Sequence, residues 1–158
     1  RGGFRVGVGG VAIGVRTESS SYDGDQHLLD YAKSALLESF SLRHGRLGPR
    51  HVDTFETLNS LAAVYLRLND LPEAKRAYSE VLAVRSVVFG RGHPSVAVAS
   101  HALGGVLMRM GEWEGAVDHM EYALKVCKGK RMGLRDGHPM VEKIGKEMRT
   151  LERIMVGA

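Results

Sequence analysis

A single cysteine, Cys127, stands among the 158 residues. It has no partner for an internal disulfide, so the chain is not one of the small domains stapled by cysteines, and the usage fits a reducing intracellular compartment. Near a predicted helix end, Cys127 reads as a small, half-buried residue. Long apolar runs are missing as well: nothing approaches the ~18 consecutive apolar residues of a membrane span. No Gly-Lys-Ser/Thr occurs, which removes the P-loop that cradles phosphates. Seven histidines are present, yet no H-x-x-x-H or C-x-x-C pair supplies the spacing that metal ligands need. No Ser-His-Asp set assembles. Gly7-Val8-Gly9-Gly10-Val11-Ala12 formally spells G-x-G-x-x-A, but residues 11–21 do not read as the helix that a dinucleotide site requires. The expectation is a chain without cofactor, without metal and without catalysis.

What is present is periodic. Leu61-Ala62-x-x-Tyr65, Ala74 and Tyr78 recur as Leu103-Gly104-x-x-Leu107, Ala116 and Met120, 42 residues further on. Gly48 and Gly90 keep the same interval. A fixed period of this length marks an array of one small supersecondary unit, and such arrays work by presenting a surface.

Within a unit the apolar pattern is helical. Leu58, Leu61, Ala62, Tyr65 and Leu68 follow i, i+3, i+4, i+7 spacing and predict a helix over residues 54–69. Asp70-Leu71-Pro72-Glu73 reads as the next helix start, with Asp70 as cap, Pro72 in the first turn and Glu73 at capping-box spacing. Ala74, Ala77, Tyr78, Val81 and Leu82 then stripe a second helix that ends near Phe89-Gly90. Small residues at 62/104 and 74/116 suit the close approach of two antiparallel helices. Large ones at 65/107 and 78/120 fill the space between them.

The period extends outward in both directions. Leu29, Ala32, Lys33, Ala35, Glu38, Arg43 and Gly48 are identical to Leu71, Ala74, Lys75, Ala77, Glu80, Arg85 and Gly90 one period later. Residues 25–47 are therefore expected to form the second helix of a partial first repeat. Full repeats follow at 48–89 and 90–131. Gly137-His138-Pro139 repeats Gly92-His93-Pro94, but at an interval of 45, so this joint is three residues longer. Residues 140–156 read as an end helix, with Val141, Ile144, Met148, Leu151 and Ile154 on one face and a charged opposite face. Residues 132–158 are thus a joint and a C-terminal cap of the kind solenoids need. The expected class is all-α: about two full repeats flanked by half repeats.

The first 24 residues differ from the rest. They hold seven of the 20 glycines, with Glu18 as the only acid among the first 21 residues. Interior glycines cost a helix about 1 kcal/mol each relative to alanine. A leader remnant, an extended arm and a short strand pair are all open. The alternation of Val6, Val8, Val11, Ile13 and Val15 favours extended structure, and the expectation is a docking arm. Opening on Arg1 fits a fragment or a processed form, and the acid-poor, arginine-bearing composition is compatible with a mitochondrial or plastid leader.

Charge supplies a second surface. The net charge is +4, and Lys125, Lys128, Lys130, Arg131 and Arg135 follow one another without an acid between them. This basic cluster spans the enlarged joint. It can meet phosphates or acidic protein surfaces, or simply complement the negative end of the preceding helix. No aromatic residue interleaves with it, so stacking on single-stranded bases has no support. Nucleic acid is a minor alternative partner.

These motifs resemble the tetratricopeptide repeat (TPR) family, and the 42-residue length with its Gly-x-x-His-Pro joint is most similar to the long repeats of kinesin light chains. Thr57-Leu58-Asn59-Ser60-Leu61-Ala62-Ala63-Val64-Tyr65 carries the first-helix likeness, and Gly90-Arg91-Gly92-His93-Pro94 the joint. The second unit departs from the pattern, with Ser100 at an apolar position and His119 in place of a small residue. The resemblance implies an α-solenoid whose first helices line a concave face. Its inward positions would be Glu56, Asn59, Ala63, Leu66 and Arg67, then Val98, His101, Gly105, Met108 and Arg109. It gives His51, His93 and His138 structural roles at joints. It also implies protein partners: a scaffold subunit of a larger stable assembly, with a transient peptide or cargo adaptor, or a ribonucleoprotein component, as alternatives.

Overall fold

The computed structural model describes residues 19–157, which form six helices: α1 (Ser19–Leu47), α2 (Val52–Arg67), α3 (Leu71–Phe89), α4 (Pro94–Met110), α5 (Trp113–Lys128) and α6 (Pro139–Gly157). Residues 1–18 lie outside the described residues, and with them most of the expected arm and the G-x-G-x-x-A string; residues 19–24, expected to belong to the arm, are instead the start of α1. Each helix packs on the next along the chain, and no strand occurs among the described residues. The expected all-α, TPR-like solenoid is what is found, with α2/α3 and α4/α5 as the two full pairs.

The turns repeat as faithfully as the helices. Within each pair the chain leaves the first helix through a left-handed residue, Asn69 (φ 59°) in one unit and Gly111 (φ 76°) in the next. Glycine adopts this conformation freely, and asparagine is among the few other residues that tolerate it. Asp70 N–H then donates back to the Tyr65 carbonyl at 2.9 Å, and Glu112 N–H to that of Leu107 at 3.0 Å. Asp70 accepts from the Glu73 N–H at 3.5 Å, as expected of the cap. Glu73 does not return the favour: its carboxylate holds Arg76 Nη2 at 2.7 Å, so the box is only half closed.

Between pairs a histidine caps each following helix. Nδ1 of His51 accepts from Asp53 N–H, that of His93 from Ser95 N–H and that of His138 from Met140 N–H, each at 3.2 Å. An arginine fixes the first two joints from the other side. Arg43 Nη1 reaches the Asp53 carbonyl and Arg85 Nη1 the Ser95 carbonyl, both at 3.3 Å. At the third joint the arginine position is Cys127, which is buried. Its thiol lies 3.8 Å from the Met140 sulfur, and the loop is the longer one.

The core is one continuous cluster running from Leu58 to Leu151. Gly104 shows why small residues are needed where helices cross. A Cβ there would meet Met120 Cγ at 3.1 Å and the Ala116 carbonyl at 3.3 Å. The Gly104 backbone lies directly against α5, and Met120 fills the remaining space with no exposure. At the far end α6 buries Val141, Ile144 and Leu151 and turns Glu142, Lys143, Lys146 and Arg149 outward.

Candidate interaction surfaces

Three surfaces are built on this frame. The first is the expected inward face of α2 and α4. Asn59 and Ala63 are half-buried and Arg67 is exposed, while Leu66 and Met108 pack partly against the core. Val98 is exposed. Other positions of this set are engaged within the molecule. Glu56 Oε1 pairs with Arg85 Nη2 at 2.7 Å. His101 Nε2 meets Glu147 Oε2 of α6 at 2.6 Å. Arg109 caps the end of α2, donating to the Leu66 carbonyl at 2.9 Å and to Asn69 Oδ1 at 2.7 Å. A side chain held in an internal bond gives up that bond when it turns to a ligand, so Asn59, Ala63, Arg67 and Val98 are the freer members of the set.

The second surface is the basic cluster. All five residues are exposed, but they do not act as one patch. Lys125, Lys130 and Arg131 surround a cleft of about 290 Å³ together with Arg91, Gly92 and Tyr122. Lys128 pairs instead with Asp136 at 2.6 Å, and Arg135 does not line the cleft. Arg91 belongs to the preceding joint. The Tyr122 hydroxyl draws that joint in by donating to the Arg91 carbonyl at 2.8 Å. The linear sequence gives no sign of Arg91, because it joins the cluster only through the stacking of one pair on the next.

The third surface lies on α1. Leu28, Tyr31, Leu37, Leu42 and Leu47 are exposed, Leu28 and Tyr31 to 66% and 71%. Ala35, identical to the buried Ala77 one period later, is exposed too. One period later Ala77 is buried, while Asp70, Glu73, Val84 and Phe89 are half-buried and Ser79 is exposed.

No membrane-length apolar helix and no group of three or more metal-ligating side chains occurs among the described residues. Burial pushes the Cys127 thiol above its ordinary range, which disfavours the reactive thiolate.

Antiparallel helix pairs stacked in register, with their chemistry spread over faces, define a helical-repeat interaction module. Residues 53–129 match the family model described as Tetratricopeptide repeat. Solved structures agree in fold. A candidate kinesin light chain from Podosopora anserina with nearly identical TPR-like repeats superposes with a TM-score of 0.73 at 19% identity, over 86% of this chain and 63% of that one. A point variant of that same protein gives a TM-score of 0.67 at 19% identity, over 85% and 66%. BtubC (BKLC) from P. vanneervenii gives 0.63 at 16% identity, over 84% and 59%. The chain thus spans less than two thirds of each of these structures. None of the curated proteins compared with the chain matches it.

Proposed function

We propose that this chain is a non-enzymatic scaffold subunit of a larger stable assembly, held there through its helical surface. The observation that carries the reading is the apolar face of α1. Leu28, Tyr31 and Leu42 share one side of the helix by their spacing, and exposed apolar side chains grouped on one side of a helix support association there. The burial of Ala77, the counterpart of the exposed Ala35, supports a covering element over this part of α1. Residues 1–18, ahead of α1, are the proposed second point of attachment. The internal engagement of Glu56, His101 and Arg109 favours a permanent partner over a captured peptide, because these inward positions already serve the fold. The transient adaptor reading, suggested by kinesin-light-chain-like neighbours, rests on Asn59 and Arg67. The convergence of Arg91 with Lys125, Lys130 and Arg131 supports the other alternative, contact with phosphates or acidic surfaces.

Purification from the source organism in about 0.5 M salt, where exposed charges are screened within a few ångströms, separates these readings. A discrete high-mass complex that survives the salt is the expected result. Elution as a lone monomer overturns the scaffold proposal. Loss of partners on raising the salt, restored on lowering it, points to the basic cleft.

A further inference from the structure

The enlarged joint after α5 is a closed turn. Gly133 N–H donates to the Gly129 carbonyl at 2.7 Å, and Leu134 N–H reaches back to the Cys127 carbonyl at 2.9 Å. The chain leaves α5 hard against its last turn: a Cβ on Gly129 would meet the Lys125 and Val126 carbonyls at 3.2 and 3.3 Å. Lys130 and Arg131 lie within this turn. With Lys125 of α5 they line the cleft of about 290 Å³ that Arg91 and Gly92 of the preceding joint close from the other side.

Every residue of fixed charge on the wall of this cleft is a cation; neither Asp118 nor Glu121 of α5 lines it. Arg91, Lys125, Lys130 and Arg131 form no ion pair among the described residues. The repeat shows that this is a local departure. Glu38 and Glu80 occupy one position of successive second helices, and the next member of that series is Tyr122, whose hydroxyl holds the Arg91 carbonyl at 2.8 Å. Lys125 stands where the period has Ser41 and Ala83. The second unit has thus lost an acid and gained a cation at one place. Cations gathered without a counter-charge repel one another, and an entering anion relieves the repulsion. The neighbouring cavity of about 550 Å³ differs in this respect. Arg91 lines it too, but together with Asp118 and His119, and Ser100 Oγ donates to the His119 carbonyl there at 2.9 Å.

We infer that the basic cleft is a binding site for a phosphate monoester in its dianionic form. A carboxylate brings one charge to four cations, and a nucleic acid backbone spreads single charges along a track. The cleft is compact. Lys128, of the same sequence run, pairs with Asp136 instead, and Arg135 does not line the cleft. A phosphate monoester places nearly two charges and three acceptor oxygens on one group, and arginine forks and lysine ammonium groups are the side chains that hold it. Tyr122 and Val126 add wall for the carbon side of the ester. As a phosphate site the cleft rests on the alternative reading above and not on the scaffold reading, so the chain without partners tests it.

The full chain is titrated with methyl phosphate, methyl sulfate and acetate at about pH 7.5 and about 0.15 M salt, and its amide resonances are followed by NMR. The two esters share a shape and differ in charge, because the phosphate gives up its second proton near pH ~6. Methyl phosphate is expected to shift Gly92, Tyr122, Gly129 and Arg131 and to bind about tenfold more tightly than methyl sulfate or acetate. Arg91→Gln and Lys125→Gln change exposed side chains and should each weaken it about fivefold. Arg135→Gln should leave it within about twofold, since salt screens a charge outside the cleft. Equal binding of the two esters overturns the phosphate assignment and leaves a general anion cleft; no shift with any probe overturns the anion site itself. Equal losses for Arg135→Gln and Lys125→Gln reveal a diffuse field and overturn the site. Tighter binding of a short single-stranded RNA, weakened by Arg135→Gln, overturns the compact group in favour of a polymer track. With methyl phosphate bound as expected, N-acetyl-O-phosphoserinamide identifies the source: equal affinity assigns a phosphorylated side chain of a partner, and exclusion assigns a free ester.

Discussion

At His119 the exchange of a small residue for an imidazole ties stability to pH. Burial lowers the pKa of this ring, and the neighbouring Asp118 offsets part of the effect; Arg91 and Tyr122 are the other titratable groups around its cavity. The unfolded chain keeps the ordinary histidine value, about 6.5. Above that pH both states are neutral and the ring contributes no slope. As pH falls below it, the unfolded chain takes up the proton first, and stability drops until the folded ring also titrates. Thermal unfolding between pH 8 and pH 5 should show a steeper acid loss for the wild type than for His119→Ala; equal slopes would refute the assignment. Arg85 raises a different question. Its side chain is 6% exposed, its partner Glu56 49%, and its guanidinium lies 5.9 Å from the centre of the Phe55 ring. Neutralising the partner strands a buried cation, whereas removing the cation does not. Glu56→Gln is expected to cost about 1–2 kcal/mol in denaturant unfolding, less than a fully buried pair because solvent screens the carboxylate. Arg85→Met should cost less than Glu56→Gln.

At the scale of the element, the joints set the repeat. A histidine is an unusual cap, and the same Nδ1 geometry at three joints shows that it is a device of the array. Phe89 stacks on His93 with ring centres 4.7 Å apart, so the ring that caps α4 also closes the end of α3. His93→Ala should cost about 1 kcal/mol, as other lost caps do, while His93→Asn keeps the acceptor and loses only the stacking. Denaturant titration of the two variants measures the difference. Much of this level was legible in the sequence. The 42-residue identities placed α1 from residue 25 on but not its start at Ser19, and apolar spacing placed α2, α3 and α6 to within about two residues at each end. Period-breaking contacts were not legible. Ser100 and His119 were visible as departures, but their pairing depends on two helices facing each other. The His101–Glu147 pair spans the enlarged joint, where the period no longer predicts which residues meet. Arg109 reads as an inward cation until α2 is seen to end beneath it.

At the scale of the whole molecule the two ends are unlike. α6 buries Val141, Ile144 and Leu151, turns charge outward along most of its length and exposes Ile154, Met155 and Val156 at its end, where Ile154 leaves the buried face expected for it, whereas α1 exposes Leu28, Tyr31 and Leu42 along its length. Leu28→Ser combined with Leu42→Ser removes exposed apolar area and little core packing. The double variant should fold with stability within about 0.5 kcal/mol of the wild type and should lose its partners on native purification. Retention of the complex would move the attachment away from α1. The family and the fold follow from the period, while the surfaces come from the side chains that the period leaves unconstrained.

The enlarged third joint also bears on mechanics. Two joints are clamped by an arginine reaching over the gap to a carbonyl of the next helix. The third replaces that clamp with a thiol beside a thioether. Under a pulling force α6 is therefore held to the pairs behind it by its buried Val141, Ile144 and Leu151 and by the His101–Glu147 pair, and not by a clamp across the joint of the kind the first two have.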